Sequence, residues 1–313
     1  MNNKLVSIIV LSYKNLQYIN ETIDSILYQD YENIELIIGD DGTNQFNIEF
    51  YKNYIDKIKF KNIKNVVIYT NEKNLGTVKN ANKAINLSKG EYIKFIAADD
   101  VLNKENVISK MVAQMNKNHS MILTTNVLWC DEKMNELKMA PKVISGYQTI
   151  LNILTNPQLS YRKLAQSNDI PALGVMLKRE VFEKYGLFDE EYILMEDWPM
   201  WLKLSRYKIN FDYLDIVSAK YRIGTGISTS TNPNPIFIED CKKCMEKEIL
   251  PYKKELGYWL HKNLKYLYTR KYKFKKFSNN RKILFILSNI DVVFVNQLKK
   301  IKLILRRNII NEN

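Results

Sequence analysis

Val6-Ser-Ile-Ile-Val-Leu11 opens the chain with an almost unbroken apolar, β-branched run. Three more short apolar runs follow, at Ile34 to Ile38, Asn65 to Tyr69 and Tyr92 to Ile96. Runs this short, without polar alternation, mark strands covered on both faces. Between them the period changes to that of a helix. Tyr18 to Tyr28 carries Ile19, Ile23, Ile26 and Leu27 along one side, and further helices are expected at Gln45 to Ile58, Thr77 to Leu87 and Lys104 to Asn116. Strand–helix alternation with short links predicts an α/β fold with a parallel sheet covered by helices on both faces.

Working outward, residues 119–230 are less regular. Strands are expected at Met121 to Leu128, Leu173 to Leu177 and Phe211 to Val217, and a short helix at Arg179 to Tyr185. An amphipathic helix is expected to follow Glu196-Asp197. The acceptor half of a two-part domain would include the motif-free stretch from Glu132 to Ile170. Asn232-Pro-Asn-Pro235 marks a boundary. The expected organisation is one domain over 1–230, with halves 1–118 and 119–230, and a helical basic region over 236–313.

In parallel α/β sheets ligands bind at the carboxyl ends of the strands. Ser12 and Tyr13 stand after the first run, Asp40 and Asp41 after the second, Thr70 to Gly76 after the third, and Ala97-Ala98-Asp99-Asp100 after the fourth. Asp is a poor strand residue, and like charges crowded at one edge repel. A divalent cation reverses that sign, and hard oxygen ligands suit Mg²⁺ or Mn²⁺. Asp99-Asp100 therefore reads as a metal–diphosphate site.

Val6-Ser-Ile-Ile-Val-Leu-Ser-Tyr-Lys-Asn15 resembles the opening of the family 2 glycosyltransferases, which have the GT-A fold, a Rossmann-like nucleotide-binding domain with a mixed, mostly parallel sheet. Ile37-Ile-Gly-Asp-Asp-Gly-Thr43, Asn71-Glu-Lys-Asn-Leu-Gly76 and Lys89-Gly-Glu-Tyr-Ile-Lys-Phe-Ile-Ala-Ala-Asp-Asp-Val101 are similar to its next elements. Glu196-Asp197 resembles its acidic pair before the acceptor helix, and Tyr221-Arg222 with Ser228 its closing motif. The resemblance implies a metal-dependent, inverting transfer of a sugar from a nucleotide-sugar, with UDP as the expected nucleotide, to a glycan or lipid-linked acceptor in surface polysaccharide synthesis. By the same resemblance Ser12, Tyr13, Asp41, Asp99 and Arg222 belong to the nucleotide site, Arg222 as a candidate diphosphate clamp. Asp99 would lie near the ribose or metal, Asp100 would be the main ligand of Mn²⁺ or Mg²⁺, and Asp197 would be the catalytic base. Glu196 would face the sugars; Trp198 and Trp201, which flank Pro199, are read either as a stacking surface for an acceptor sugar or as core. Two positions depart from the family pattern: Ala97 stands where an Asp is frequent, and Gly224 where a His is frequent. They prompt an alternative, a nucleotide-sugar-binding or scaffold protein without turnover, against which Asp100 and Asp197 argue.

The formal net charge of +13 is localised. From Lys262 to Arg307 there are 14 Lys or Arg and one acid, Asp291, so the rest of the chain is neutral. A neutral body with a basic tail does not describe a nucleic-acid-binding protein; the tail suits an anionic membrane surface. Aromatics interleave with Lys and Arg from Tyr266 to Phe277, and Leu298 to Ile310 is again basic and apolar. The first 13 residues lack the features of a signal peptide, and no stretch has the length of a membrane span. The expectation is a cytoplasmic protein, peripheral at the inner face of the cell membrane. Cys130, Cys241 and Cys244 make no disulfide framework, and the last two are expected as reduced neighbours on one helix. His119 and His261 are expected at the surface.

Overall fold

The computed structural model describes residues 3–58, 61–140, 156–157, 159–224 and 234–298. Ser228, the first half of the Asn232–Pro235 boundary, residues 141–155 of the expected acceptor stretch and all of Leu298–Ile310 beyond its first residue lie outside them.

Strands β1 (Val6–Ser12), β2 (Ile34–Asp40), β3 (Ile63–Thr70) and β4 (Tyr92–Ala97) alternate with helices α1 (Ile19–Leu27), α2 (Ile48–Ile58) and α3 (Thr77–Leu87). Every residue of β2 and all but one of β1 are buried; most are apolar, and the buried Glu35 is satisfied by donation from Ser7 Oγ, Asn65 Nδ2 and the Lys89 N–H. Ile8, Val10, Leu36 and Ile38 share a core with Ile19, Ile23 and Ile26 of α1 and Tyr51 and Ile55 of α2. Strand alternation sends Ile9 and Ile37 to the opposite face, where α3, with Val78, Ala81, Ala84 and Ile85 buried, packs against β1 and β2. Both faces are therefore covered.

After the two-residue strand β5 (Val101–Leu102) come α4 (Val107–Asn118), β6 (Ile122–Cys130) and β7 (Glu136–Ala140), then α5 (Ser160–Leu164), β8 (Val175–Lys178), α6 (Glu180–Tyr185), α7 (Asp197–Arg206), β9 (Phe211–Arg222) and α8 (Pro235–Cys244). The nine-stranded sheet has the order β3-β2-β1-β4-β8-β6-β9-β5, with β7 paired to β6. The first four strands are parallel. β8 lies antiparallel between β4 and β6, and β6 and β9 are again parallel to each other.

Several elements differ from the sequence-based expectation, among them β5 and α5, which have no counterpart there. β9 continues past Val217 to Arg222 because Ala219 to Arg222 pair with Val127 to Cys130, so cross-strand bonding compensates for a polar sequence. β7 has no apolar run of its own, and its register on β6 defines it.

Contacts divide the chain into two compact units, Met1–Cys244 and Met245–Asn313. In the second, a π-helical turn at Met245–Ile249 precedes α9 (Lys253–Leu256), α10 (Tyr258–Tyr272) and α11 (Asn279–Leu287). Tyr266 of α10 stacks on Phe285 of α11 with ring centroids 5.3 Å apart, and Phe274 and Phe277 close around the same ring. Lys262 and Asp291 add an ion pair at 2.5 Å. Cys241 and Cys244 share α8. His261 meets the Leu250 carbonyl oxygen at 3.0 Å, and His119 ends α4 in the left-handed conformation.

Candidate active site

Strand register builds the site. Ser12 is level with Asp40, Asp40 with Thr70, and Leu11 with Ala97. The residues after β1, β2, β3 and β4 consequently leave the sheet along one edge. Asp41 is buried there and uses both carboxylate oxygens on the loop after β3. Oδ1 accepts Asn71 Nδ2 and the Leu75 N–H, both at 2.9 Å, and Oδ2 accepts the Gly76 N–H at 2.8 Å. Gly76 is needed at that turn: its φ is +92°, and a Cβ would stand 2.5 Å from Ile193 Cγ2. Ser12 Oγ is buried at the same edge with no hydrogen-bond partner among the described residues. Tyr13, 37% exposed, forms the rim, with the Lys14 ammonium 4.9 Å from its ring centroid.

The Asp99–Asp100 turn is fixed from several sides. Asn15 Nδ2 donates to Asp99 Oδ2 at 2.9 Å, and Thr22 Oγ1 donates to the Asp100 carbonyl at 2.7 Å. The Arg222 N–H donates to Asp100 Oδ1, also at 2.9 Å. Burial holds the Asp100 carboxyl well above the usual carboxylate range, and the charge of Asp99 adds to it; the Arg222 N–H, its guanidinium and Lys94 act the other way. Lys94 is buried in β4 and donates to the Leu173 carbonyl; burial depresses its ammonium to about 7 despite the attraction of Asp100.

Arg222 corrects the sequence-based placement. Its side chain is 1% exposed and does not line the cavity described next; it braces the acidic turn from behind. Nε donates to the Asp99 carbonyl at 2.9 Å, one terminal nitrogen to the Glu132 carbonyl, and the other to Glu21 Oε2 at 2.7 Å. The guanidinium lies 3.9 Å from the centroid of Tyr18. With those partners its guanidinium lies among protein groups rather than in the cavity lining.

Ser12, Tyr13, Asp41, Asp99, Asp100, Glu196 and Asp197 line one cavity of about 660 Å³. Asp41 and the two acids after β4 reach it from the parallel half of the sheet, and Glu196-Asp197 from the start of α7, about 100 residues later. Asn168 Nδ2 donates to Asp197 Oδ2 at 2.9 Å, and the Trp198 N–H donates to Oδ1 at 2.6 Å. Burial raises the Asp197 carboxyl, and those two bonds partly offset it. Glu196 is raised by burial, then by the charge of Asp197. A carboxylate lifted towards neutral pH is a stronger base than an ordinary one. Trp198 is not in the lining: its indole N–H donates to the Leu164 carbonyl at 2.8 Å, which turns the ring onto α5. Trp201 is buried, with its indole N–H on the Ile170 carbonyl at 3.1 Å.

Asn15, Lys94, Asn168 and Phe237 were not singled out as site residues from sequence. Asn15 was legible, since it stands three residues after β1 in the opening motif. Asn168 and Phe237 line the cavity from segments whose local pattern carries no such signal.

The donor set fits a hard divalent cation held by few protein ligands. Asp99 and Asp100 crowd two carboxyls into a poorly solvated turn, and that crowding raises Asp100. Among the described residues no group of three or more His, Cys, Asp or Glu is arranged as a metal cage. Two carboxylates leave the remaining coordination to water and phosphate oxygen.

The model of glycosyl transferase family 2 matches residues 7–186. An uncharacterized glycosyltransferase of Haemophilus influenzae is 29% identical over 88% of this chain and 100% of its own length. A second from the same organism is 30% identical over 82% of this chain and 76% of its own. A processive diacylglycerol beta-glycosyltransferase of Mycoplasma genitalium is 24% identical over 78% of this chain and 71% of its own. Among solved structures, S. aureus TarS 1-349 in complex with UDP-GlcNAc superposes with a TM-score of 0.58 at 18% identity, over 92% of this chain and 80% of that one. The mannosyltransferase PcManGT of Pyrobaculum calidifontis, in complex with GDP-Man and Mn²⁺, gives 0.53 at 13% identity, over 94% and 87%. These likenesses establish the GT-A fold. With the family model covering more than half of its length, this chain belongs to glycosyl transferase family 2 and is a glycosyltransferase.

Proposed function

We propose that the chain moves a sugar from a nucleotide-sugar, a UDP-sugar as the first expectation, to a hydroxyl of a glycan or lipid-linked acceptor, with inversion at the sugar carbon. The observation that carries this reading is the convergence of Asp41, Asp99 and Asp100 with Glu196 and Asp197 on one cavity. Ser12 Oγ, buried on that wall and without a hydrogen-bond partner among the described residues, supports a polar donor there. Asp197 takes the proton of the incoming hydroxyl, whose oxygen attacks the sugar carbon as the bond to the diphosphate breaks. One base and one leaving group suffice for direct displacement. Asp99 and Asp100 would hold Mn²⁺ or Mg²⁺, which when bound supplies charge neutralisation to the departing diphosphate. The Mycoplasma relative named for diacylglycerol makes a lipid-linked acceptor a reasonable choice.

The second unit supports a place at an anionic membrane surface. Ile283, Leu284, Leu287, Ile290 and Phe294 are all more than half exposed, beside Arg281 and Lys282. An apolar row flanked by cations suits the boundary between headgroups and acyl chains. Among the described residues no helix is long and apolar enough to cross a membrane.

The test is transfer or hydrolysis of a panel of nucleotide-sugars with Mn²⁺, beside Asp100→Ala and Asp197→Ala. The reading expects turnover in the parent, loss of it in Asp197→Ala with nucleotide affinity kept, and loss of the metal requirement's benefit in Asp100→Ala. Tight nucleotide-sugar binding with no turnover for any donor and acceptor would establish the scaffold alternative instead.

A further inference from the structure

Helix α8 lies beyond the stretch matched by the family model, which ends at residue 186. Nevertheless it enters the site. Phe237 lines the cavity. Asp240, one turn on, is 2% exposed, and its Oδ2 accepts two successive backbone N–H groups, Ile193 at 2.9 Å and Leu194 at 2.7 Å. Those residues lead directly to Glu196-Asp197. The carbonyl of Ile193 accepts the Val78 N–H at 3.2 Å, next to the Gly76 turn held by Asp41. The Ile193 peptide is thus gripped on both sides, by α3 through its oxygen and by Asp240 through its nitrogen.

We infer that Asp240 is a positioning residue for the catalytic base: it sets the segment 193–194, which carries Asp197 into the cavity against the donor-side wall. The inference rests on the role of Asp197 given above. A carboxylate is suited to this task because one oxygen takes both N–H groups of a turn, as at an anion-binding nest. Remove it, and the two donors must find water, which requires the segment to lift away from α8. A shift of that kind at a catalytic group costs turnover without touching donor contacts. Asp240 also faces Glu196 closely enough for its charge to oppose ionisation there.

The experiment compares Asp240→Ala, Asp240→Glu and Asp240→Asn with the parent and with Glu239→Ala, a control at an exposed neighbouring position. Steady-state kinetics with the best donor and UDP affinity by calorimetry are the readouts. Asp240→Ala is expected to lose about 10- to 100-fold in kcat with UDP affinity unchanged. Asp240→Glu, which keeps the charge but displaces the acceptor oxygen by a methylene, is expected to lose about tenfold by the same misplacement. Asp240→Asn retains an acceptor oxygen at the right reach and is expected to recover most of kcat. Should Asp240→Ala not fold, Asp240→Glu decides the matter, since parental kcat in that variant overturns the inference. Equal loss in the Asn and Ala variants overturns it too, because charge and not hydrogen-bond geometry would then be responsible. Parental turnover in Asp197→Asn removes the base assignment and this inference together. A dead Asp197→Asn beside an unimpaired Asp240→Ala removes this inference alone.

Discussion

Replacing Arg222 by Met separates a brace from a diphosphate ligand. Two charge-assisted bonds to the Asp99 and Glu132 carbonyls are lost, together with the guanidinium face on Tyr18 at 3.9 Å. Each such bond contributes about 1.5 kcal/mol, and a desolvated cation–π contact about 1–2 kcal/mol. The Glu21 pair is discounted, because Glu21 is 55% exposed and is screened. Relief from burying a guanidinium returns about 2 kcal/mol of that loss, and Met fills most of the volume. The net expectation is a destabilisation of about 2–3 kcal/mol, read as a lower denaturant midpoint with an unchanged slope. A second effect follows at Asp100, whose carboxyl is lowered by the guanidinium and would rise further without it. Since a cation competes with a proton for that group, the pH at which Mn²⁺ supports half-maximal activity should move upward. Parental stability and an unmoved Mn²⁺–pH profile, with only the donor KM raised, would refute the brace and return Arg222 to the diphosphate.

Asn168→Ala removes a bond to the charged form of Asp197, so that carboxyl rises and the acid limb of the kcat profile moves to higher pH. Because Asn168 is exposed, the upward shift should be small; a downward or absent shift counts against the contact. Gly76→Ala places a methyl against Ile193 at a φ of +92° and should cost about 2–3 kcal/mol and most of the turnover; a variant as stable as the parent would show that the turn relaxes freely. Liposomes containing anionic lipid should retain the protein at low salt and release it as salt rises, and removing residues 262–313 should abolish retention; salt-insensitive binding refutes the electrostatic part.

The parallel half of the fold was legible because its signals are local. β1 and β2 are buried on both faces, so each is a compact apolar word, and the acids that follow are fixed by register. The mixed half depends on pairing across distance. Nothing within Val175–Lys178 says that it will sit between β4 and β6, and Ser218 to Arg222 read as loop until their partners on β6 are known. Asp197 could be picked out by resemblance, yet its hydrogen bond to Asn168 could not, since Asn168 lies in a polar stretch with no periodicity. Arg222 stands out in the sequence as a candidate diphosphate clamp, but its partners in the fold cannot be read there. A buried Arg is recognised by what surrounds it, and Glu21, Tyr18 and Glu132 are scattered far apart along the chain.

Arg222 arrives more than a hundred positions after the turn it shapes. During synthesis the first four strands precede β9 and can pair before it, and the acidic corner beyond β4 is then held by partners from the early chain, among them Asn15, Thr22 and the Leu11 carbonyl, which accepts the Ala98 N–H. The Asp100 carboxyl and the Asp99 carbonyl gain their Arg222 partners only once β9 has been made, so the acidic corner is completed later than the strand that carries it.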